Sequence, residues 1–181
     1  MLLKCELLRY KHYENDSKIG DCAMSKQRTR ILDRIDHKIL RRLQDNARLS
    51  NADLARSVNL SPKPCLERVR SLEADGYILD YVTLLNPQKL GAGVVSFIQV
   101  SLDRTNPDVF DRFKEQVGLC PEVMECHMVA GGFDYLLKVR TSSMIEYRNF
   151  LGETLAQMSD IKQTHTYVVM EEVKATHAIT I

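Results

Sequence analysis

Few residues in this chain are placed to do chemistry, and the clearest set is Ser61, Pro62, Lys63, Pro64, Arg68 and Arg70. Their chemistry is recognition of a polyanion, with no bond broken. Ser61 is a good N-cap, and Pro62 falls at the first helical position, where a missing N–H costs nothing. Gly76 is a natural stop. Cys65, Leu66, Val69 and Leu72 gather on one side of the resulting helix, while Lys63, Glu67, Arg70 and Ser71 lie opposite. The helix opens with small or rigid groups, so a phosphate can approach its N-terminus. We expect Lys63, Pro64, Arg68 and Arg70 at or beside a DNA major groove, with Arg68 at the edge of the polar side. Ser61 and Ser50 would position phosphates through helix N-termini.

Other reactive residue types lack partners. Cys120, Cys126 and His127 are close in sequence but lack the paired spacing of a zinc site, and strand alternation puts Cys126 and His127 on opposite faces. His165 and His177 have no evident nucleophile or carboxylate beside them. There is no Gly-rich phosphate loop and no hydrolase motif. We expect no cofactor, no metal and no catalysis.

The elements that must position the Ser61 helix lie just before it. Leu32, Ile35, Ile39 and Leu43 keep helical spacing, so about 31–45 is an amphipathic helix with Asp33 near its start. After a break at 45–48, Ser50 opens a short helix with Asp53 completing a capping box, and Leu54, Ala55 and Val58 form its buried face. Asn59-Leu60 then turns into the Ser61 helix. This is the helix-turn-helix order with the third helix in the reading position. The same pattern also fits a plain three-helix bundle with a solvated last face.

Charge distribution separates the two. The whole chain carries 25 basic and 24 acidic residues, which says nothing about partners. Residues 26–76 hold 12 Lys/Arg against 7 Asp/Glu, a net +5, whereas residues 77–181 hold 9 against 13, a net −4. Positive charge is concentrated where phosphate contacts would use it. A net +5 is modest, so useful affinity requires several copies.

After Gly76, Tyr77–Leu84 reads as a strand or small ribbon, and 85–93 (with Asn86-Pro87 and two glycines) reads as a hinge. Beyond it the order is strand (94–102), helix (Val109, Phe110, Phe113, Val117), strand (123–129), strand (134–139), helix (Met144, Tyr147, Leu151, Leu155, Met158) and strand (163–173). The class is therefore α+β: a helix-turn-helix unit at 26–84 and a ferredoxin-like βαββαβ domain at 94–175, with a tail at 176–181. Phe97, Gln99, Glu125 and His127 fall on the sheet face without helices, a semi-polar surface that a second copy would cover.

No apolar run approaches the roughly 20 residues of a membrane span, and Lys4, Glu6 and Arg9 interrupt any secretory signal. Five cysteines without a framework fit a reducing cytoplasm. Residues 1–25 show little periodicity and read as a disordered extension. Met24 looks like an internal start, so the first 23 residues are expected to come from alternative upstream translation or from added, non-native sequence.

Certain phrases carry a family resemblance: Leu32-Asp33-Arg34-Ile35-Asp36, Leu60-Ser61-Pro62, Pro64-Cys65-Leu66-Glu67-Arg68-Val69-Arg70, Leu84-Leu85-Asn86-Pro87, Phe133-Asp134-Tyr135-Leu136-Leu137, and 167–174 (YVVMEEVK). They run in order over about four-fifths of the chain. The chain resembles the Lrp/AsnC, or feast/famine, transcription regulators. The resemblance implies sequence-specific binding of double-stranded DNA, a C-terminal domain that senses amino acids and dimerises, assembly to an octamer, and a cytoplasmic, nucleoid-associated protein. Leucine or another apolar amino acid such as methionine is the implied effector. Carried onto this sequence, the effector pocket comprises Met128, Gly131, Gly132, Phe133 and Asp134, with Met144, Tyr167, Val168 and Val169, where subunits meet. Backbone N–H groups at Gly131 and Gly132 could approach a carboxylate, and Asp134 could meet an ammonium group. Residues alone equally allow a hairpin turn in which Asp134 caps backbone groups. An enzyme built on the C-terminal domain is the competing class, but it would not need the basic 26–76 segment.

Overall fold

The computed structural model describes residues 31–104 and 106–181, so the expectations for 1–25 lie outside the described residues. The chain separates into two compact units: Leu85–Val173, and a helical unit reaching Leu84 that also takes in Lys174–Ile181.

The helical unit holds α1 (Arg34–Asp45), α2 (Asn51–Ser57) and α3 (Pro62–Ala74). α1 starts where it does because Asp33 and Asp36 form a reciprocal cap. Asp33 Oδ1 accepts the N–H groups of Ile35 and Asp36 at 2.8 Å each, and Asp36 Oδ2 accepts the Asp33 N–H at 3.2 Å. Ile39, Leu54, Ala55, Val58, Cys65 and Leu72 form the core. Leu66 stays 37% exposed at the rim of a shallow groove beside Leu49, Val69 and Tyr81. The turn between α2 and α3 depends on Asn59 at φ +58°, where the Leu60 N–H reaches the Ala55 carbonyl at 2.9 Å. Asparagine tolerates the left-handed region better than most residues. Gly76 ends α3 at φ +75°.

The C-terminal arm packs within this unit. The Gln44 side-chain amide both donates to the Ile179 carbonyl (2.8 Å) and accepts its N–H (3.0 Å), and Arg41 Nε donates to the Ile181 main-chain oxygen at 2.6 Å. These contacts place 174–181 with the helices.

Residues 79–84 form no strand. They lack a ladder partner among the described residues, and Leu79, Val82 and Leu84 are 66–74% exposed. β-branched and aromatic composition favours extended backbone, but a strand also requires a neighbour.

The second unit contains β1 (Val94–Leu102), α4 (Pro107–Gly118), β2 (Val123–Met128), β3 (Tyr135–Thr141), α5 (Met144–Asn149) and β4 (Ile161–Val168). The sheet order is β2-β3-β1-β4, antiparallel throughout, the ferredoxin-like arrangement. Ile98, Val100, Leu137 and Val139 face the helices, and Phe113 of α4 stacks on Tyr135 with ring centroids 4.6 Å apart. On the other face Phe97 lies between Lys138 and Tyr167, and Gln99 lies between Leu136 and His165. The second helix departs from the expected stripe. After Asn149 it widens into a π turn (Phe150–Thr154) and then a 3-10 turn (Leu155–Gln157), so Phe150 joins Tyr147, Leu155 and Met158 in the core, with Leu151 half-buried against it. A π turn adds one residue to the repeat, and here that face gains Phe150.

Candidate nucleic-acid interface and effector cavity

α3 presents Ser61, Pro62 and Lys63 to solvent at its N-terminus, with Arg70 exposed two turns on and Pro64 half-buried. The Ser61 hydroxyl makes no capping bond. Lys63 and Arg70 have no ion-pair partner among the described residues. The Asn51 side chain donates to the Pro62 carbonyl at 2.8 Å and sets the start of α3 against α2.

Two expected DNA contacts are committed elsewhere. Arg68 turns inward, and its Nη1 lies 2.7 Å from Asp33 Oδ2 and 2.8 Å from Asp36 Oδ1. Asp36 is 1% exposed, so the guanidinium neutralises a buried carboxylate and clamps α3 to the start of α1. A helical wheel puts Arg68 at the polar edge; only the three-dimensional arrangement reveals the carboxylates waiting there. The pair raises the Arg68 pKa, and the Asp36 N–H together with Arg68 holds the Asp33 carboxyl below the usual range. Ser50 caps α2, accepting the Asp53 N–H at 3.2 Å and donating to Asp53 Oδ2 at 2.6 Å. That bond lowers the Asp53 pKa, and an ionised carboxylate at this helix start opposes a phosphate. Within the protomer, Arg68 is held against the start of α1 and Ser50 against Asp53.

In the second unit Gly131, Gly132, Phe133 and Asp134 line one wall of a cavity of about 290 Å³. Ser101 and Leu102 of β1 and Lys162 and Gln163 of β4 complete its lining. Asp134 holds backbone: its Oδ2 accepts the Leu102 N–H at 2.7 Å, and its own N–H donates to the Val100 carbonyl at 2.9 Å. Neither glycine adopts a left-handed φ, and a Cβ at either would meet no atom within 4 Å.

The remaining expected effector residues do not reach this cavity within one protomer. Met128, Met144, Tyr167 and Val168 are each 44–56% exposed, and Val169 is half-buried, its N–H donating to Val95 at 2.9 Å. Tyr167 pairs with Phe97, five residues along β1 from Leu102, or about 16 Å at the rise of an extended strand. Lys162, Gln163 and Ser101 were not expected. Their only signal is a strand irregularity that depends on how β1 and β4 pair.

A trihelical reading unit followed by a ferredoxin-like domain with a polar cavity defines a DNA-binding regulator with a ligand-binding domain. Residues 32–78 match the winged helix-turn-helix DNA-binding family, and residues 95–179 match the Lrp/AsnC ligand binding domain. The leucine-responsive regulatory proteins of Escherichia coli K12 and Haemophilus influenzae are 51% and 50% identical to the chain, over 83% and 85% of its length and 92% and 93% of theirs. Among solved structures, a Neisseria meningitidis transcriptional regulator in complex with L-Met aligns with TM-score 0.79 and 36% identity, covering 83% of this chain and 97% of its own. An Agrobacterium tumefaciens AsnC family regulator also aligns with TM-score 0.79 and 36% identity, covering 82% and 97%. The chain belongs to the Lrp/AsnC family: it is a DNA-binding transcription regulator and not an enzyme. Among the described residues no helix is long and apolar enough to cross a membrane.

Proposed function

We propose that the protein is a sequence-specific regulator whose assembly and DNA binding respond to an apolar amino acid, leucine or methionine. The observation that carries this reading is the division of the effector set. A polar cavity at Gly131–Asp134 can take a zwitterionic head group, while the exposed apolar residues Met128, Met144, Tyr167 and Val168 stand elsewhere on the same protomer. A second copy brings an apolar surface to a polar cavity. The glycines fit this reading, since nothing inside the protomer requires them. The L-Met complex of the Neisseria regulator supports an amino acid as ligand. A ligand that touches two subunits has different affinities for different assemblies, and so shifts their balance and DNA occupancy with it.

On DNA, α3 enters the major groove with Lys63, Pro64 and Arg70 toward the bases and Ser61 toward a phosphate. One unit with a net +5 binds weakly, so the working form is a dimer or a larger assembly, with an octamer as the expected state, acting on the nucleoid in the cytoplasm. Retention of fragmented genomic DNA at two salt concentrations, with and without leucine and methionine, tests the whole reading. Salt-sensitive, sequence-selective retention that changes with either amino acid is the expected result. Retention indifferent to both, or a monomer by light scattering at micromolar concentration, would overturn it.

A further inference from the structure

The β1–β4 ladder slips at one point. Ser101 pairs with Gln163, but Leu102 pairs with Ile161, so Lys162 faces no residue across the ladder. An extra residue bends its strand and re-aims its side chain, and such bulges gather beside functional sites. Here the bulged residue is a lysine that lines the same cavity as the β2–β3 turn.

The bulge is held from several sides. Leu102 beside it gives its N–H to Asp134 Oδ2 at 2.7 Å. The Asp103 N–H donates to the Asp160 carbonyl at 2.8 Å, just before β4 begins. Asp160 sits at φ +76°, and Arg112 holds its carboxylate at 2.8 Å. Asp134 thus fastens the strand edge against which Lys162 is presented. Lys162 itself has no hydrogen-bond or ion-pair partner among the described residues, and it is the one cation among the residues lining the cavity.

Resting on the amino-acid reading above, we infer that Lys162 binds the α-carboxylate of the effector, and that Asp134 acts as a positioning residue through the bulge. A carboxylate in this cavity meets one cationic side chain, Lys162, while the Asp134 carboxylate lining the same cavity already accepts the Leu102 N–H. Charge-assisted bonds are roughly twice as strong as neutral ones. A lysine supplies that charge as a point on a flexible stem, suited to one carboxylate approached from one side. The ligand class narrows accordingly. A free amino acid is accepted, and its amide, which keeps the side chain and the amino group but has no negative charge, is rejected.

Isothermal titration of the full chain with L-leucine, L-methionine and their two amides at pH 7 tests this, using wild type, Lys162→Met and Lys162→Arg. Wild type is expected to prefer each free acid over its amide by at least tenfold. Lys162→Met should lose that preference by weakening the acids alone, and Lys162→Arg should keep most of it. Retention of the wild-type acid-to-amide ratio in Lys162→Met would overturn the assignment and leave the carboxylate to the Gly131–Gly132 backbone. If wild type binds neither acid, the amino-acid reading fails and takes this inference with it.

Discussion

Replacing Arg68 by alanine separates a structural arginine from a DNA-reading one. Arg68 closes a three-residue ion cluster in which Asp36 is 1% exposed, Arg68 29% and Asp33 48%. Removing one partner of a buried pair costs about 3–5 kcal/mol, because a charge is left without compensation. Two features reduce that here: the guanidinium is partly solvated, and Asp36 Oδ2 keeps the Asp33 N–H at 3.2 Å. The Asp33 half of the cluster is exposed and screened by solvent, and so adds little. The expected loss is about 2–4 kcal/mol in urea unfolding, scaled down from the buried-pair range. Arg70→Ala provides the contrast. Arg70 is exposed, so its removal should change stability by no more than about 0.5 kcal/mol. If Arg70 touches a base, DNA binding should weaken by about 1–3 kcal/mol. The acid limb adds a second readout. Asp33 is depressed in the folded state, by the Asp36 N–H first and Arg68 second. Its stabilisation is therefore present above the unfolded pKa and lost as pH falls below about 4. Arg68→Ala should flatten that acid loss without abolishing it, because the backbone bond remains. An Arg68→Ala protein as stable as wild type that loses DNA binding like Arg70→Ala would refute the clamp.

Three further outcomes are expected. Asn59→Val should cost about 1–2 kcal/mol in denaturant unfolding, since a β-branched residue resists φ +58°, whereas Asn59→Gly should be close to neutral. The Tyr81 hydroxyl donates to Glu73 Oε1 at 2.9 Å, and burial followed by that bond pushes its pKa up to about 12. Because the folded pKa is raised, this contribution is full below pH 10 and lost as pH climbs through 12; ultraviolet titration of Tyr81→Phe should lose one late-titrating phenol relative to wild type, while the phenol of Tyr147, also raised by burial, remains. Gln44→Ala removes both amide bonds to Ile179, so hydrogen exchange should quicken at the Ile179 N–H while the α1 core at Ile39 stays protected.

Most of what was legible in the sequence is local. Helical spacing of Leu32, Ile35, Ile39 and Leu43, the Ser50 and Ser61 starts, Gly76 as a stop, and the βαββαβ order each depend on residues within a few positions of one another. Backbone preference and side-chain periodicity act at that range. The recognition helix and the β2–β3 turn were therefore readable before any tertiary structure. Longer-range features were not. The partners of Arg68 lie 32 and 35 residues earlier, the Ile179 partner of Gln44 lies 135 residues away, and Asp134 bonds a backbone group 32 residues back. Residues 79–84 have strand composition but no strand neighbour among the described residues, and the π turn at Phe150–Thr154 adds Phe150 to the expected buried face. Lys162 alternates like any strand residue until the β1–β4 register leaves it unpaired. Register and ion-pair partners are properties of two segments at once. They are chosen by which apolar faces must be buried together, and no single segment encodes that choice.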